Sequence, residues 1–194
     1  GIVPDAGVGL VFSMPSRWAF EYHPPLQDPN ADPRKQGTPD RAAYERIVYR
    51  IHGGLNRAGH QVRIWHDDQL EATDPAQIAA ELPVLVVPGL AVVGDGFANW
   101  MREYAAAGGH LVLGIRTATL DEDGRVRRAV QPAGLSEVAG AGYDEFSNLL
   151  EPVAVTGELS GSAERLLEGL EPHGARVIAS YEHPHFGRWA AATT

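Results

Sequence analysis

Four short apolar runs, each separated from the next by a stretch with helical spacing, constrain the fold of this chain most strongly. The runs lie at residues 7–12, 61–65, 84–87 and 111–115. Apolar runs of this length, bounded by Gly, Pro or Ser, are typical of buried strands. The order β-α-β-α-β-α-β therefore predicts an α/β fold with a mostly parallel sheet, right-handed crossovers and helices on both faces.

Helix signals fill the first interval. Thr38 is placed to be an N-cap with Pro39 at the first helical position, and Gly59 is placed to end the helix in the left-handed conformation. Gly53 and Gly54 each weaken this helix, which predicts that it packs closely on the sheet there. One apolar face has helical spacing; it consists of Tyr44, Ile47, Val48, Ile51, Leu55 and Ala58.

The later elements follow the same reasoning. Asp74-Pro75 predicts the start of a short helix through Glu81, and Asp95 is predicted to cap a helix that ends at Gly108-Gly109. Phe97, Trp100, Met101 and Tyr104 share one face of that helix. Beyond it the pattern weakens; it predicts a hairpin or long loop at 117–130, helices at 135–141 and 162–170, and strands at 153–156, 176–181 and 187–194.

Composition excludes several classes of protein. At 194 residues with an apolar fraction of 44%, residues 1–194 are expected to form a single α/β domain. A net charge of −9 and the absence of a basic run disfavour nucleic-acid and membrane partners. Because the sequence contains no cysteine, it has no disulfide, thiolate ligand or cysteine nucleophile. It begins at Gly1 without a Met or signal peptide, so we expect an excised fragment or a processed product, whose start does not reveal its localisation. The expected localisation of the parent protein is cytoplasmic.

Three loops are predicted at the carboxyl edge of the sheet, where open α/β folds bind ligands. They span residues 13–18, 88–94 and 116–121. The side chains of Ser13, Ser16, Arg17 and Arg116 would suit an anion. The favoured alternative is that Arg17 pairs with a local carboxylate and Trp18 packs on a neighbouring surface, since the Gly-rich phosphate motif is missing.

Two histidine-containing stretches, 182–185 and His66-Asp67-Asp68, carry metal-ligand residue types. Neither has two ligands at helical i, i+4 spacing, so we predict solvated side chains and no metal or cofactor. No G-x-S-x-G motif and no recognisable pair of catalytic carboxylates is present. The sequence alone therefore predicts an α/β domain without catalytic residues.

Five motifs, taken in order, resemble the second domain of glycoside hydrolase family 42 β-galactosidases, known as the trimerisation domain. They are Val8-Gly-Leu-Val-Phe-Ser-x-x-Ser-Arg-Trp-Ala-x-Glu21, Tyr49-Arg50, Val87-Pro-Gly-Leu90, Tyr104-x-x-x-Gly-Gly-His-Leu-Val-Leu113 and Asp121-Glu-Asp-Gly-Arg-Val126. The resemblance runs from about Gly7 to Thr194.

The resemblance implies a three-layer, flavodoxin-like or class I glutamine-amidotransferase-like fold. It implies a non-catalytic assembly domain whose partners are its own catalytic barrel and the neighbouring subunits of a homotrimer. The acid/base and nucleophile glutamates of such enzymes belong to the barrel, so none is assigned here. Arg17, Trp18, Glu21 and Arg116 become candidates for interface or barrel-facing positions.

Two alternatives stay open at the level of sequence. One is a stand-alone small-molecule-binding or amidotransferase-like domain, although the amidotransferase version needs a cysteine that this chain lacks. The other is a scaffold domain from a related sugar-utilisation family, because one fold serves many functions.

Overall fold

The computed structural model describes residues 6–28, 30 and 37–194, and the chain divides into two compact units. Unit 1 comprises Gly1–Pro24 and Arg41–Arg127, and unit 2 comprises Pro25–Asp40 and Arg128–Thr194. That residues 1–194 fold as one domain stays a prediction. Residues 29 and 31–36, in the segment between Tyr22 and Thr38, lie outside the described residues.

Unit 1 is built on a parallel sheet of four strands. These are β1 (Val8–Phe12), β2 (Val62–His66), β3 (Val84–Val87) and β4 (His110–Leu113), in the order β2-β1-β3-β4. Each strand falls within two residues of its predicted apolar run, and all pairings are parallel. The predicted α/β architecture with a parallel sheet is therefore confirmed for this unit.

Five helices connect or follow these strands. They are α1 (Met14–Tyr22), α2 (Ala43–Arg57), α3 (Asp67–Glu71), α4 (Pro75–Glu81) and α5 (Asp95–Ala106). Helix α1 packs against α2, while α3 and α4 pack against α5. None of the helices in the described part of the chain is both long enough and apolar enough to cross a membrane.

The central strand β1 is buried because strands and helices enclose it. Leu10 and Val11 have no exposed surface. Gly9 is needed for close approach, since a Cβ atom there would lie 2.8 Å from Leu85 Cδ1. Such a contact would displace the end of the buried Leu85 side chain, so glycine lets this side chain pack directly on β1.

Helix α5 contributes an aromatic stack to the core. The rings of Phe97 and Trp100 lie 5.6 Å apart and those of Trp100 and Tyr104 lie 5.5 Å apart, both nearly parallel. The Tyr104 hydroxyl donates to the Leu82 carbonyl at 2.6 Å. The predicted apolar face of this helix is confirmed, but Gly94 is its N-cap and Asp95 is its first residue.

The prediction of a compact turn at residues 13–18 is wrong, because this segment is the first part of α1. Ser13 is the N-cap, and its Oγ accepts from the amide of Ser16 at 3.2 Å. Pro15 occupies the first turn, where its missing N–H is not needed. Ser and Pro favour both turns and helix starts, and here they begin a helix.

The predicted start of α2 at Thr38 and Pro39 is also wrong. Pro39 instead forms an isolated antiparallel bridge with Gln27, and the amide of Asp40 donates to Leu26 O at 2.8 Å. These backbone hydrogen bonds hold the segment extended, so the helix begins only at Ala43.

The predictions for the glycines in and after α2 are confirmed only in part. A Cβ atom at Gly54 would meet nothing within 4 Å, and one at Gly53 would meet only the Arg57 side chain. The predicted close packing at these two residues is therefore wrong. Gly59 has a φ of +87°, which confirms the predicted left-handed end of the helix.

Unit 2 is mainly antiparallel. Its helix and strands are α6 (Ser136–Ala139), β5 (Ala141–Gly142), β6 (Phe146–Asn148), β7 (Val153–Gly157), β8 (Gly161–Ala163), β9 (Leu166–Glu168), β10 (Glu171–Pro172), β11 (Val177–Tyr181) and β12 (Ala190–Thr193). The principal sheet has the order β12-β11-β7-β8, and two smaller sheets pair β10 with β5 and β6 with β9.

Most sequence-based expectations for this unit are confirmed, including the small helix and the strands β7, β11 and β12. The predicted helix at 162–170 is wrong, because β8 and β9 occupy that stretch. Strand β8 pairs with β7, and β9 pairs with β6. These pairings with other strands of the unit therefore determine the conformation of residues 162–170.

The buried Tyr104 makes stability sensitive to alkaline pH. Burial raises the pKa of Tyr104 from 10.0 to about 12. Between these values the unfolded chain loses the proton and the folded chain keeps it, so the free energy of unfolding falls as pH rises, by about 1.4 kcal/mol per pH unit.

We expect Tyr104→Phe to reduce this alkaline loss without abolishing it, because burial also raises the pKa of Tyr44 and of Tyr181. Urea unfolding at several pH values from neutral to about 12 measures the loss. Tyr22→Phe, which removes the hydroxyl of an exposed tyrosine, is the matched control. Equal slopes for the two variants and the wild type would contradict the assignment.

Candidate functional site

The loops that follow the parallel strands meet at one edge of the sheet, as predicted. A pocket of about 280 Å³ lies there. Its lining comes from the segments after all four strands of unit 1, namely Met14, Pro15, His66, Asp67, Asp68, Val92, Gly94 and Glu122. Glu122 lies one residue beyond the third predicted loop. The edge position is that of ligand sites in open α/β sheets.

The two serines at the start of α1, Ser13 and Ser16, are structural. Ser13 donates its amide to the Tyr44 hydroxyl at 2.8 Å, and Ser16 Oγ accepts from the Val92 amide at 3.0 Å. Both serines are fully buried. Because these groups fix α1 against α2 and against the segment after β3, neither serine is presented to a ligand.

Arg17 and Glu21 belong to an ion-pair cluster between α1 and α2. Arg17 Nε donates to Glu45 Oε1 at 2.6 Å, and its Nη1 lies 3.5 Å from Glu21 Oε2. Glu45 first, and Glu21 to a smaller extent, raise the pKa of Arg17 above its usual value. The interpretation that Arg17 pairs with a local carboxylate is confirmed.

Trp18 lies on the outer surface of α1, where its side chain is 49% exposed. Pro15 and Tyr22 are also exposed, and Tyr22 is 66% exposed. The spacing i, i+3, i+7 places these three residues on one side of the helix. We call Pro15, Trp18 and Tyr22 the α1 outer face. The sequence analysis did not identify Tyr22 as a site residue, because the predicted loop after the first strand ended at Trp18.

Arg116 follows β4 in a tightly held loop. Its φ is +60°, and that of the buried Ala118 is +56°, both in the left-handed region that disfavours side chains. Thr117 Oγ1 donates to Gly114 O at 2.7 Å, and the Ala118 amide donates to Leu90 O at 2.9 Å. These bonds stabilise the unusual backbone. Arg116 does not line the pocket described above.

The pocket lining is acidic, which disfavours the anion-binding alternative. Asp67 Oδ1 accepts from the Asp68 amide at 3.1 Å, and Asp68 Oδ1 accepts from the Gln69 amide at 2.8 Å. These bonds place both carboxylates at the N-terminus of α3, where the helix dipole stabilises negative charge. Glu122 adds a third carboxylate.

The structure brings the potential ligand atoms of His66, Asp67 and Asp68 within 4.8 Å of one another. The prediction that they hold no metal stays a prediction. A sequence signal for this acidic lining was available, because Asp67 and Asp68 directly follow the second strand at its carboxyl end.

A family model described as the β-galactosidase trimerisation domain matches residues 6–194. The chain belongs to this family. The match covers both units and confirms the family resemblance of the sequence motifs. The chain is thus a trimerisation domain and not the catalytic domain of such an enzyme.

Curated relatives agree with this assignment. The chain is 25% identical over 205 residues to β-galactosidase Bga of Halorubrum lacusprofundi, covering 97% of this chain and 26% of the relative. It is 28% identical over 203 residues to β-galactosidase BglY of Alicyclobacillus acidocaldarius, covering 100% of this chain and 27% of that relative. The chain thus spans about a quarter of the length of these relatives.

Solved structures share the fold. The β-galactosidase from Bacillus circulans sp. alkalophilus superimposes with a TM-score of 0.78 at 20% sequence identity. The superposition covers 97% of this chain and 26% of the other. The fold of this chain is therefore shared with about a quarter of that protein.

The hydrogen bond from Ser13 to Tyr44 should be needed for stability. Tyr44 is fully buried, and burial raises the pKa of Tyr44, so its hydroxyl remains neutral. Tyr44→Phe leaves the buried Ser13 amide without this acceptor, and we expect a loss of about 1–3 kcal/mol in the free energy of unfolding.

Urea unfolding at neutral pH measures this loss, with Tyr22→Phe as the exposed control that should change stability by less than about 0.5 kcal/mol. If Tyr44→Phe is as stable as the control, the hydrogen bond does not hold the start of α1.

Proposed function

We propose that this chain is the assembly domain of a β-galactosidase that hydrolyses terminal β-D-galactosyl residues and forms a homotrimer. The observation that carries the proposal is the match of the trimerisation-domain family to residues 6–194. The two curated relatives are named β-galactosidases, and each is about four times as long as this chain. The proposed partners are a catalytic barrel of the same polypeptide and the neighbouring subunits.

The α1 outer face is the proposed contact surface. Tryptophan and tyrosine are enriched among interface residues that contribute most to binding, and Trp18 is half exposed on a well-fixed helix. Arg17 and Glu21 lie beside this face and hold α1 against α2 through Glu45. In this proposal they position Trp18, while Arg116 is a separate candidate contact after β4.

We also propose that unit 1 has the three-layer, flavodoxin-like arrangement shared with class I glutamine amidotransferases. The strand order β2-β1-β3-β4 supports this, because the flavodoxin-like order begins in the same way. The separate packing of α1 on α2 and of α3 and α4 on α5 supports it as well. Right-handed crossovers in this strand order place those two groups on opposite faces of the sheet.

A stand-alone small-molecule binder is the second candidate, favoured by the edge pocket. Small-molecule sites are mostly apolar, with a few polar groups, whereas this pocket carries three carboxylates. A ligand from a panel of sugars, nucleotides and flavins that raised the melting temperature of the chain would favour this candidate over an assembly role.

The first test concerns catalysis. Residues 1–194 alone should not hydrolyse a chromogenic β-galactoside, because the proposed acid/base and nucleophile glutamates belong to the barrel. The full-length protein, assayed in parallel, should hydrolyse it. Turnover by the purified chain, above that of a mock purification, would contradict the proposal.

The second test concerns assembly. We expect Trp18→Ala in the full-length protein to raise the dissociation constant of the trimer by roughly 30-fold or more, as for a residue worth at least about 2 kcal/mol. Sedimentation velocity over a dilution series measures it. Phe146→Ala removes a comparably exposed aromatic side chain in unit 2 and serves as the control. Wild-type assembly by the Trp18 variant would exclude α1 from the interface.

A further inference from the structure

We propose that His183 is a pH-sensitive latch in unit 2. Its neutral imidazole closes the turn between β11 and β12, and proton uptake opens that turn. We call residues 182–189, which connect the end of β11 at Tyr181 to the start of β12 at Ala190, the β11–β12 turn. The proposal goes beyond the proposed function and does not depend on it, because it concerns one turn within one unit.

Two hydrogen bonds inside the β11–β12 turn require the neutral form of His183. The amides of His185 and Phe186 both donate to the Nδ1 atom of His183, at 3.1 Å and 3.2 Å. A ring nitrogen accepts a hydrogen bond only through its lone pair, and in a protonated imidazole both nitrogens are donors. Proton uptake at Nδ1 therefore removes the acceptor and leaves the two amides facing a donor.

The latch determines how the centre of the turn begins. A 3₁₀ helix, Phe186–Arg188, lies there. The amides at the start of a helix have no acceptor inside that helix, so side chains or water must supply one. The imidazole of His183 supplies it, and the carbonyl of the same residue accepts from the Gly187 amide at 2.8 Å. His183 thus accepts three hydrogen bonds of the turn, and two of them depend on its protonation state.

A stack of rings connects the latch to the core of unit 2. The ring centroids of His183 and Phe186 lie 4.5 Å apart with an interplanar angle of 28°, and those of Phe186 and Trp189 lie 6.4 Å apart at 22°. Phe186 also packs against a cluster of three buried residues, Val153, Leu167 and Tyr181. When the turn opens, it therefore uncovers part of this core.

Stacking alone does not distinguish the two forms of His183, because a protonated ring can still stack on Phe186 as a cation on an aromatic face. The two amides do distinguish them, since only the neutral form accepts. The hydrogen bonds, and not the stack, therefore make the turn sensitive to pH.

Charged and titratable groups of both signs surround the imidazole. The turn itself contributes Glu182, His185 and Arg188, β10 contributes Glu171 and β11 contributes Tyr181, whereas β7 and β12 contain no ionisable side chain. The guanidinium of Arg188 lies 4.0 Å from the ring centroid of Trp189, and Glu171 Oε1 accepts from the Trp189 indole at 3.3 Å. Both therefore act on the tryptophan end of the stack, and the amides act on His183 directly.

The exposure of His183 lets the latch respond to the pH of the solution. Histidine side chains take up a proton between about pH 8 and about pH 5. The closed turn binds the neutral imidazole and the open turn accepts either form. The closed turn is therefore favoured at the upper end of this range and loses stability as the pH falls through it.

Amide hydrogen exchange of the full-length protein, with millisecond labelling and mass spectrometry, tests the latch. The protection factors of the His185 and Phe186 amides, which correct for the intrinsic effect of pH on exchange, are compared at about pH 8 and about pH 5. We expect both protection factors to fall about fivefold at the lower pH, as for the loss of one hydrogen bond of average strength. The amides of β1 in unit 1 should keep their protection.

The variant His183→Asn removes the titrating group and keeps an acceptor. The Asn side-chain oxygen can accept from amides two and three residues further on, as it does at helix N-caps. This variant should therefore retain its protection at the lower pH. The matched control is His185→Asn, which removes a second exposed histidine from the same turn, one that contacts Phe186 and Trp189 edge-on. The control should show the wild-type loss.

Four results would overturn the proposal. The first is equal protection of the wild type at both pH values, and the second is a loss that persists in His183→Asn. The third is a loss that His185→Asn abolishes, because it would assign the titration to that residue. The fourth is a loss that extends to β1, which would indicate acid unfolding of the whole chain. If His183→Asn does not close the turn even at the higher pH, the wild type still decides between the latch and the first and fourth results.

Discussion

The amide of Ser13 has to find an acceptor where the buried strand β1 ends, and the hydroxyl of Tyr44 supplies it at 2.8 Å. This bond connects the first strand to α2 across 31 positions of the sequence. Ser16 then binds the segment after β3 through Val92. Because a buried amide without a partner is costly, these bonds fix the direction in which α1 leaves the sheet.

The fixed position of α1 determines what the carboxyl edge presents. One side of the helix is occupied by Arg17 and Glu21, which cluster with Glu45 of α2, and the adjacent side exposes Trp18 and Tyr22. The first turn of the same helix forms a wall of the pocket at this edge. A fold whose edge usually binds small ligands thus presents an aromatic face next to a negatively charged recess. These features suit a protein partner better than a metabolite.

The sequence was sufficient to predict the strands of unit 1, because short apolar runs with Gly and Pro boundaries have few other structures available. The same holds for Gly59, whose left-handed conformation follows from its place at a helix end. Local sequence signals gave wrong predictions where residues distant in sequence determine the secondary structure. The start of α1 depends on Tyr44, the delayed start of α2 depends on the bridge from Pro39 to Gln27, and the strands near residue 165 depend on β6 and β7.

The candidate site was predicted only in part, for a related reason. The edge position of the loops follows from parallel strands, and the pairing of Arg17 with a carboxylate follows from its surroundings in sequence. The acidity of the pocket follows only in part, since Asp67 and Asp68 directly follow the second strand, whereas Glu122 comes from the separate segment after β4. The strand order β2-β1-β3-β4 brings these two segments together, and no local pattern in the sequence encodes that order.

The most direct measurement is an experimental structure of the full-length assembly, by crystallography or electron cryomicroscopy. We expect Trp18 and Tyr22 to lose most of their exposed surface against another subunit or the catalytic barrel. A structure in which the α1 outer face remains in solvent, with the subunits joined through other surfaces, would show that α1 has no role in assembly.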